Sequence, residues 1–292
     1  MRIGTNLWPG YGPLYLARAR GYLRPGDVRL VEMPSASDVM DALRLGQLEG
    51  GALTLDETLT LLAEGQDLVV ILVFDISVGA DMILVRDNIQ TLGDLASRRI
   101  GVETTAVGAL MVKSALDMAQ LSDDQVKIVH MPLNDHLAAF RAHRIDAAVT
   151  FEPYASELRR AGAHVLFDSS AIPGQIVDVL AVRRSALQER RDALSGLLGA
   201  YYQARNELHT DPDESLKIIN ARLQATPEDL PHLFDGLDLP DENANVQLLS
   251  GNPSPLERSA QQLADVMLRQ KLLPRSLFIT GITSVIPAEG AQ

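Results

Sequence analysis

"RIGTN" at Arg2–Asn6 returns as "RIGVE" at Arg99–Glu103. A second matching pair follows each at nearly the same separation: "GALTLDETLTLLAEG" (Gly51–Gly65) and "DAAVTFEPYASELRRAG" (Asp146–Gly162). Both members read as an apolar strand ending in Thr, then one apolar residue, a carboxylate and a helix. Thr54/Asp56 therefore echo Thr150/Glu152. Two matches at similar spacing predict a duplicated lobe, not a chance likeness of two short strands.

Between these anchors, short apolar runs alternate with helical patterns. Strands are expected over Asp27–Met33, Leu68–Phe74, Met82–Val85, Val126–Val129 and Val165–Phe167. Helices are expected over Ser37–Leu45, the first capped by Ser35 or Ser37, and over Ala109–Ala119 and His136–His143. Such alternation implies an α/β fold of mainly parallel sheets with helical crossovers. From Ser185 the pattern is helical, over Ala193–Leu208, Pro212–Leu223 and Pro255–Leu268. "DGLDLPDENANVQLLSGNPSP" (Asp235–Pro255) is read as an irregular surface loop. Two long apolar runs are broken by polar residues: Val69–Val85 at Asp75, Ser77 and Gly79, and Ser169–Val182 at Pro173, Gly174, Gln175 and Asp178. They read as strands that leave one lobe and enter the other. Lobe one would be 1–76 with 180–292, around a continuous lobe two of 77–179.

With 292 residues, 46% of them hydrophobic, the chain has room for two such lobes. A formal charge of -12 argues against nucleic acid and against an anionic membrane surface. No cysteine is present, which excludes disulfides and thiolate chemistry within the chain. No apolar run approaches the roughly 18 residues that span a bilayer. No charged-then-apolar leader precedes the first strand, so the chain is expected either to be cytosolic or to have had an export signal or lipid anchor trimmed away.

Ligands of open α/β sheets bind outside the carboxyl ends of the strands. That rule selects Asn6, Trp8, Tyr11, Ser35, Thr54 and Asp56 from lobe one, and Glu103, Thr104, Thr105 and Glu152 from lobe two. Asp75, Ser77 and Asp178 join them from the crossings. Each also has a purely structural reading. Trp8, the single tryptophan, sits on a Pro-Gly turn where burial in a core looks difficult, so it either stacks on ligand or covers the core's end. Asp56 and Glu152 fall in first helical turns, where a carboxylate is favourable without any ligand. Thr104 and Thr105 are natural caps. Asp75 and Asp178 interrupt apolar strands, so they need either hydrogen-bond partners or an open cleft. The His residues lack HxxxH or HExxH spacing, and the GxSxG, GxxxxGK[ST] and GxGxxG patterns are absent. No catalytic residue, metal or cofactor is expected.

"RIGTNLWPGYGPLYLARARGYL", "DISVGADMILV", "TLGDLASRRIGVETTAVGALM", "DAAVTFEPYASEL" and "DSSAIPGQIVDVLAV", in this order, resemble the extracytoplasmic solute-binding proteins of the nitrate/sulfonate/taurine and pyrimidine-precursor class. The resemblance implies a two-lobed type II periplasmic-binding-protein fold, with two crossover strands, that closes on a small-molecule solute and delivers it to an ABC transporter permease. It also implies a periplasmic or extracytoplasmic monomer. It carries over Trp8 and Tyr11 as cleft aromatics, Thr54 and Asp56 as lobe-one contacts, and Thr104, Thr105 and Glu152 as lobe-two contacts. Relatives that synthesise pyrimidines use a cysteine-rich motif missing here, which disfavours an enzyme. A periplasmic sensing domain attached to receptor signalling domains is the alternative. The expected cleft stretches hold Asp56, Asp75, Glu103, Glu152 and Asp178 but no Arg or Lys. They therefore favour a nitrogen-containing, cationic or heteroaromatic solute, with a zwitterionic aminosulfonate next.

Overall fold

A computed structural model describes residues 1–24, 26–103 and 106–289. In chain order it opens with β1 (Arg2–Thr5), a 3-10 turn at Pro9–Tyr11, α1 (Gly12–Ala19), β2 (Arg29–Glu32), α2 (Ala36–Arg44), β3 (Gly50–Thr54), α3 (Leu55–Ala63) and β4 (Leu68–Ser77). There follow β5 (Met82–Arg86), β6 (Arg99–Val102), α4 (Ala106–Ala119), β7 (Lys127–His130), α5 (Leu133–Arg141), β8 (Ala147–Thr150), α6 (Tyr154–Arg160) and β9 (Ala163–Asp168). The remainder is β10 (Val177–Arg183), α7 (Arg184–Glu189), α8 (Arg191–Thr210), α9 (Pro212–Leu223), β11 (Leu237–Asp238), α10 (Glu242–Leu249) and α11 (Pro255–Arg269).

The elements form two units. Unit 1 comprises Met1–Ile76, Val177–Pro231 and Asp238–Gln292, and unit 2 comprises Ser77–Ile176 with the short return His232–Leu237. Their sheets run β11-β4-β10-β3-β1-β2 and β7-β6-β8-β5-β9. The internal echo is now explicit in the register. In unit 1, Ile3 and Gly4 pair in parallel with Gly50 and Gly51; in unit 2, Ile100 and Gly101 pair in parallel with Ala147 and Ala148. Arg2 bonds Glu49 at 2.7 Å, and Arg99 bonds Asp146 at 2.8 Å, at the matching place.

The sheets are mixed: most strands run parallel, and one strand in each, β10 and β5, runs against its neighbours. β10 pairs antiparallel with β3 and β4, and β5 with β8 and β9. A chain that leaves on β4 and returns on its neighbour β10 must pair them antiparallel, which alternating apolar runs cannot reveal. The expected loop Asp235–Pro255 also contains a helix, α10. Asp241 caps it by accepting from Ala244 N–H at 2.8 Å. Its buried Asn245 accepts from Val73 N–H at 2.7 Å and donates back to Val73 C=O at 3.1 Å, closing the backbone of β4 there. The helix buries only this amide and Leu249, too short an apolar line to mark it in the sequence.

Each unit builds its own core. Val39, Leu43, Leu48, Leu53 and Leu61 pack together in unit 1, and Leu84, Phe140, Ile145, Ala148 and Leu158 in unit 2.

Candidate functional site

Four polar residues cross the end of the unit 1 sheet. Asn6 follows β1, Thr54 ends β3, and on the antiparallel strands Asp178 is the Cα partner of both Thr54 and Asp75. The carboxyl ends of the parallel strands thus meet the start of β10 and the end of β4. Above this row the 3-10 turn at Pro9–Tyr11 folds two aromatic side chains inward. Trp8 Nε1 donates to Asp75 Oδ2 at 3.0 Å, and the Tyr11 hydroxyl donates to Asp178 Oδ1. Trp8 is 5% exposed and Tyr11 2%. The expectation that the turn resists burial is therefore corrected. Pro-Gly geometry returns the rings onto the sheet end, where two buried carboxylates need donors. Tyr11 also meets Phe74, with ring centroids 5.1 Å apart. Burial, then the charges of Asp178, Glu57 and Asp75, hold the Tyr11 phenol well above its ordinary pKa, so it stays a neutral donor.

Beside the row lies a set of buried side-chain acceptors. Among the described residues, Asn6 Oδ1, Thr54 Oγ1 and both oxygens of Asp56 are buried with no well-aligned hydrogen-bond partner, although the Thr54 hydroxyl and the backbone N–H groups of Asp56 and Glu57 lie close enough to act on the Asp56 carboxylate. Buried polar atoms are rarely left this way. The Thr54 backbone is satisfied, since its N–H reaches Glu57 Oε2 at 3.0 Å and its carbonyl accepts from Thr58 Oγ1 at 3.0 Å. Burial raises the Asp56 carboxyl from its usual 3.8 to about 6, against the opposing pull of Thr54 and of the backbone of Asp56 and Glu57. Ser35 lies elsewhere in purpose: its hydroxyl caps α2, accepting from Asp38 N–H at 3.1 Å.

Arg222, on α9, was not foreseen. Its guanidinium donates to the carbonyls of Asn6 and Trp8, pairs with Glu32 and lies 4.1 Å from the Tyr15 ring centroid. The side chain is 8% exposed. It pins the loop after β1 from a helix distant in sequence, and no local pattern marks it.

In unit 2, Ser77 Oγ shares a 2.7 Å hydrogen bond with Ser169 Oγ and accepts from Asp81 N–H at 3.2 Å, tying the turn before β5. Glu103 follows β6, half-buried; Thr104 and Thr105 lie outside the described residues. Glu152 follows β8, accepts from Ser156 N–H at 3.1 Å and pairs with Arg159 at 2.6 Å. A cavity of about 520 Å³ opens here, bounded by Glu152, Ser156, Arg159 and Met82, and by His232 and Asp235 of the short return. A carboxylate expected to stand without a cation thus has one, two helical turns along α6. Among the described residues, no group of three or more His, Asp or Glu could hold a metal ion.

The NMT1/THI5-like family matches residues 8–215, most of the chain. The chain belongs to the NMT1/THI5-like family. It is 26% identical over 259 residues to an aliphatic sulfonates-binding protein of Escherichia coli (strain K12), covering 85% of this chain and 76% of that protein. The alkanesulfonate-binding protein of Xanthomonas axonopodis pv. citri bound to MOPS superposes with a TM-score of 0.80 at 20% identity, over 98% of each chain. The periplasmic nitrate-binding protein of Synechocystis PCC 6803 gives 0.73 at 13% identity, over 94% of this chain and 82% of that one. The fold is the two-lobed type II periplasmic-binding-protein fold. In this NMT1/THI5-like chain, Asn6, Thr54, Asp75 and Asp178 share one sheet end, with Trp8 and Tyr11 above them and Asp56 following Thr54. Ser77 and Glu152 belong to unit 2 and are engaged in its own turns.

Proposed function

We propose that this protein binds a small solute in an extracytoplasmic compartment and delivers it to an ABC importer. We further propose that the solute presents a hydrogen-bond-donating nitrogen to unit 1. Family membership supports the first part. The observation that carries the second is the buried acceptor set Asn6 Oδ1, Thr54 Oγ1 and the Asp56 carboxylate, none of which has a well-aligned hydrogen-bond partner among the described residues. Buried oxygens with acceptor capacity to spare favour a ligand that donates, and an ionised carboxylate favours a protonated amine most. The relatives' names point to sulfonates and nitrate. A zwitterionic aminosulfonate joins both features, using its ammonium for the acceptors of unit 1.

The test is a thermal-shift and calorimetric comparison of an alkylamine, an aminosulfonate and an unsubstituted alkanesulfonate. Ligand at about 100 times its dissociation constant adds roughly 2.7 kcal/mol to stability. The two nitrogen-bearing solutes are expected to stabilise the protein, and Asp56→Asn to weaken them at least about tenfold. Stabilisation by the alkanesulfonate alone, unaffected by Asp56→Asn, overturns the assignment of the nitrogen.

A further inference from the structure

Helix α4 is apolar around most of its circumference. Leu110, Met111 and Ala115 are fully buried, and Ala109, Val112 and Leu116 form a second apolar line at i, i+3 and i+7 spacing, of which Val112 and Leu116 are also buried. A helix apolar on two faces requires something against each. Across from the second line runs β7, the edge strand of its sheet. Val126, Ile128 and His130 alternate toward the same space, and Ile128 remains 39% exposed. The helix and the edge strand bound a cavity of about 410 Å³. That is the size of a small-molecule site, with an apolar wall and four polar side chains, Glu103, Lys113, Asp123 and His130.

We propose that unit 2 carries a second ligand site here, for an unbranched aliphatic chain with an anionic head. Among the described lining residues none is aromatic, so the walls suit a flexible chain better than a stacked ring. Lys113, one residue along from Val112, supplies the charge for the head. Its side chain is 22% exposed, whereas its ion-pair partner Asp123, also in the lining, is 66% exposed. A pair opened to solvent on the acid's side is weak and exchanges readily for another anion. Glu103, also in the lining, acts electrostatically toward Tyr154 of α6. The site shares no residue with the acceptors of unit 1 and does not depend on the solute proposed there.

Calorimetric titration of the whole chain with hexanoate, octanoate and decanoate tests this. One molecule per chain is expected, tightening about tenfold for each two added methylenes. Lys113→Gln is expected to weaken octanoate about fivefold or more while leaving octanol binding unchanged. Ile128→Asp, at the exposed mouth where folding tolerates it, is expected to weaken every chain length. Asp56→Asn should leave octanoate binding as it is. Absence of saturable binding overturns the site, as does affinity without chain-length dependence or unaltered affinity in both groove variants. Octylamine binding as well as octanoate overturns the anionic head, and loss of octanoate binding in Asp56→Asn places the ligand in unit 1 instead.

Discussion

Gly10 is a glycine because Asp75 and Trp8 occupy the space beside it. A Cβ there would stand 1.8 Å from Asp75 Oδ2 and 2.6 Å from Trp8 Nε1. The close approach lets the turn lay its indole over the carboxylate, so Trp8 is a structural donor to the sheet end. Trp8→Ala is expected to cost about 3–5 kcal/mol of unfolding free energy, the usual loss for a large buried ring. Urea unfolding followed by circular dichroism reads this directly. A cost under about 1 kcal/mol would return Trp8 to the exposed role its turn suggests in sequence. Tyr11→Phe, which removes one donor to Asp178 and no ring, should cost less, about 1–3 kcal/mol.

The echoing elements explain why "RIG" recurs. A Cβ on Gly4 would meet Leu48 Cδ1 at 2.5 Å and Val39 Cγ1 at 2.8 Å; one on Gly101 would meet Ile145 Cδ1 at 2.8 Å. In both units the glycine lets the side chain ahead of the next parallel strand press against the first. Gly4→Ala and Gly101→Ala are each expected to destabilise by about 1–3 kcal/mol through overpacking. Gly4→Ala should cost more, since two side chains must shift. Equal stability of both variants to wild type in chemical denaturation would contradict this account. Between elements, Arg222 ties α9 to the loop after β1. Arg222→Met keeps the stem over Tyr15 but loses the bonds to the Asn6 and Trp8 carbonyls. It is expected to cost about 2–3 kcal/mol and to weaken solute binding through that loop.

For the whole molecule, two buried groups set opposing responses to pH. Asp56 is raised to about 6 by burial, so its contribution is present below pH 3.8 and is lost as pH rises through 6. His136, fully buried in unit 2, is lowered from 6.5 to about 4, chiefly by burial and against the opposing pull of the Met131 backbone and Asp135. Its contribution is present above pH 6.5 and is lost as pH falls through 4. Between about pH 4 and 6 the two slopes cancel in the summed response. Asp56→Asn should therefore steepen the loss of stability on acidification, by about 1–3 kcal/mol across that window. His136→Phe should reverse it, making the protein more stable at pH 4.5 than at 6.5. Thermal melts of both variants across this range check the signs, and parallel profiles for both would refute the assignment.

Local pattern made the duplicated lobes legible, because each strand–helix unit repeats its own hydrophobic period and its own glycine. It also picked out Asn6, Thr54, Asp75 and Asp178, since a polar residue at the end of an apolar strand is visible from its immediate neighbours. Strand order and the antiparallel returns of β5 and β10 were decided only in three dimensions, where the path of the chain between units dictates direction. The same holds for the cations. Arg222 reaches Asn6, and Arg159 reaches Glu152, through contacts that helix periodicity does not encode. Trp8 is the sharpest case: the sequence placed it on a turn, and the pairing of β4 with β10 supplied the buried carboxylate that draws it inward.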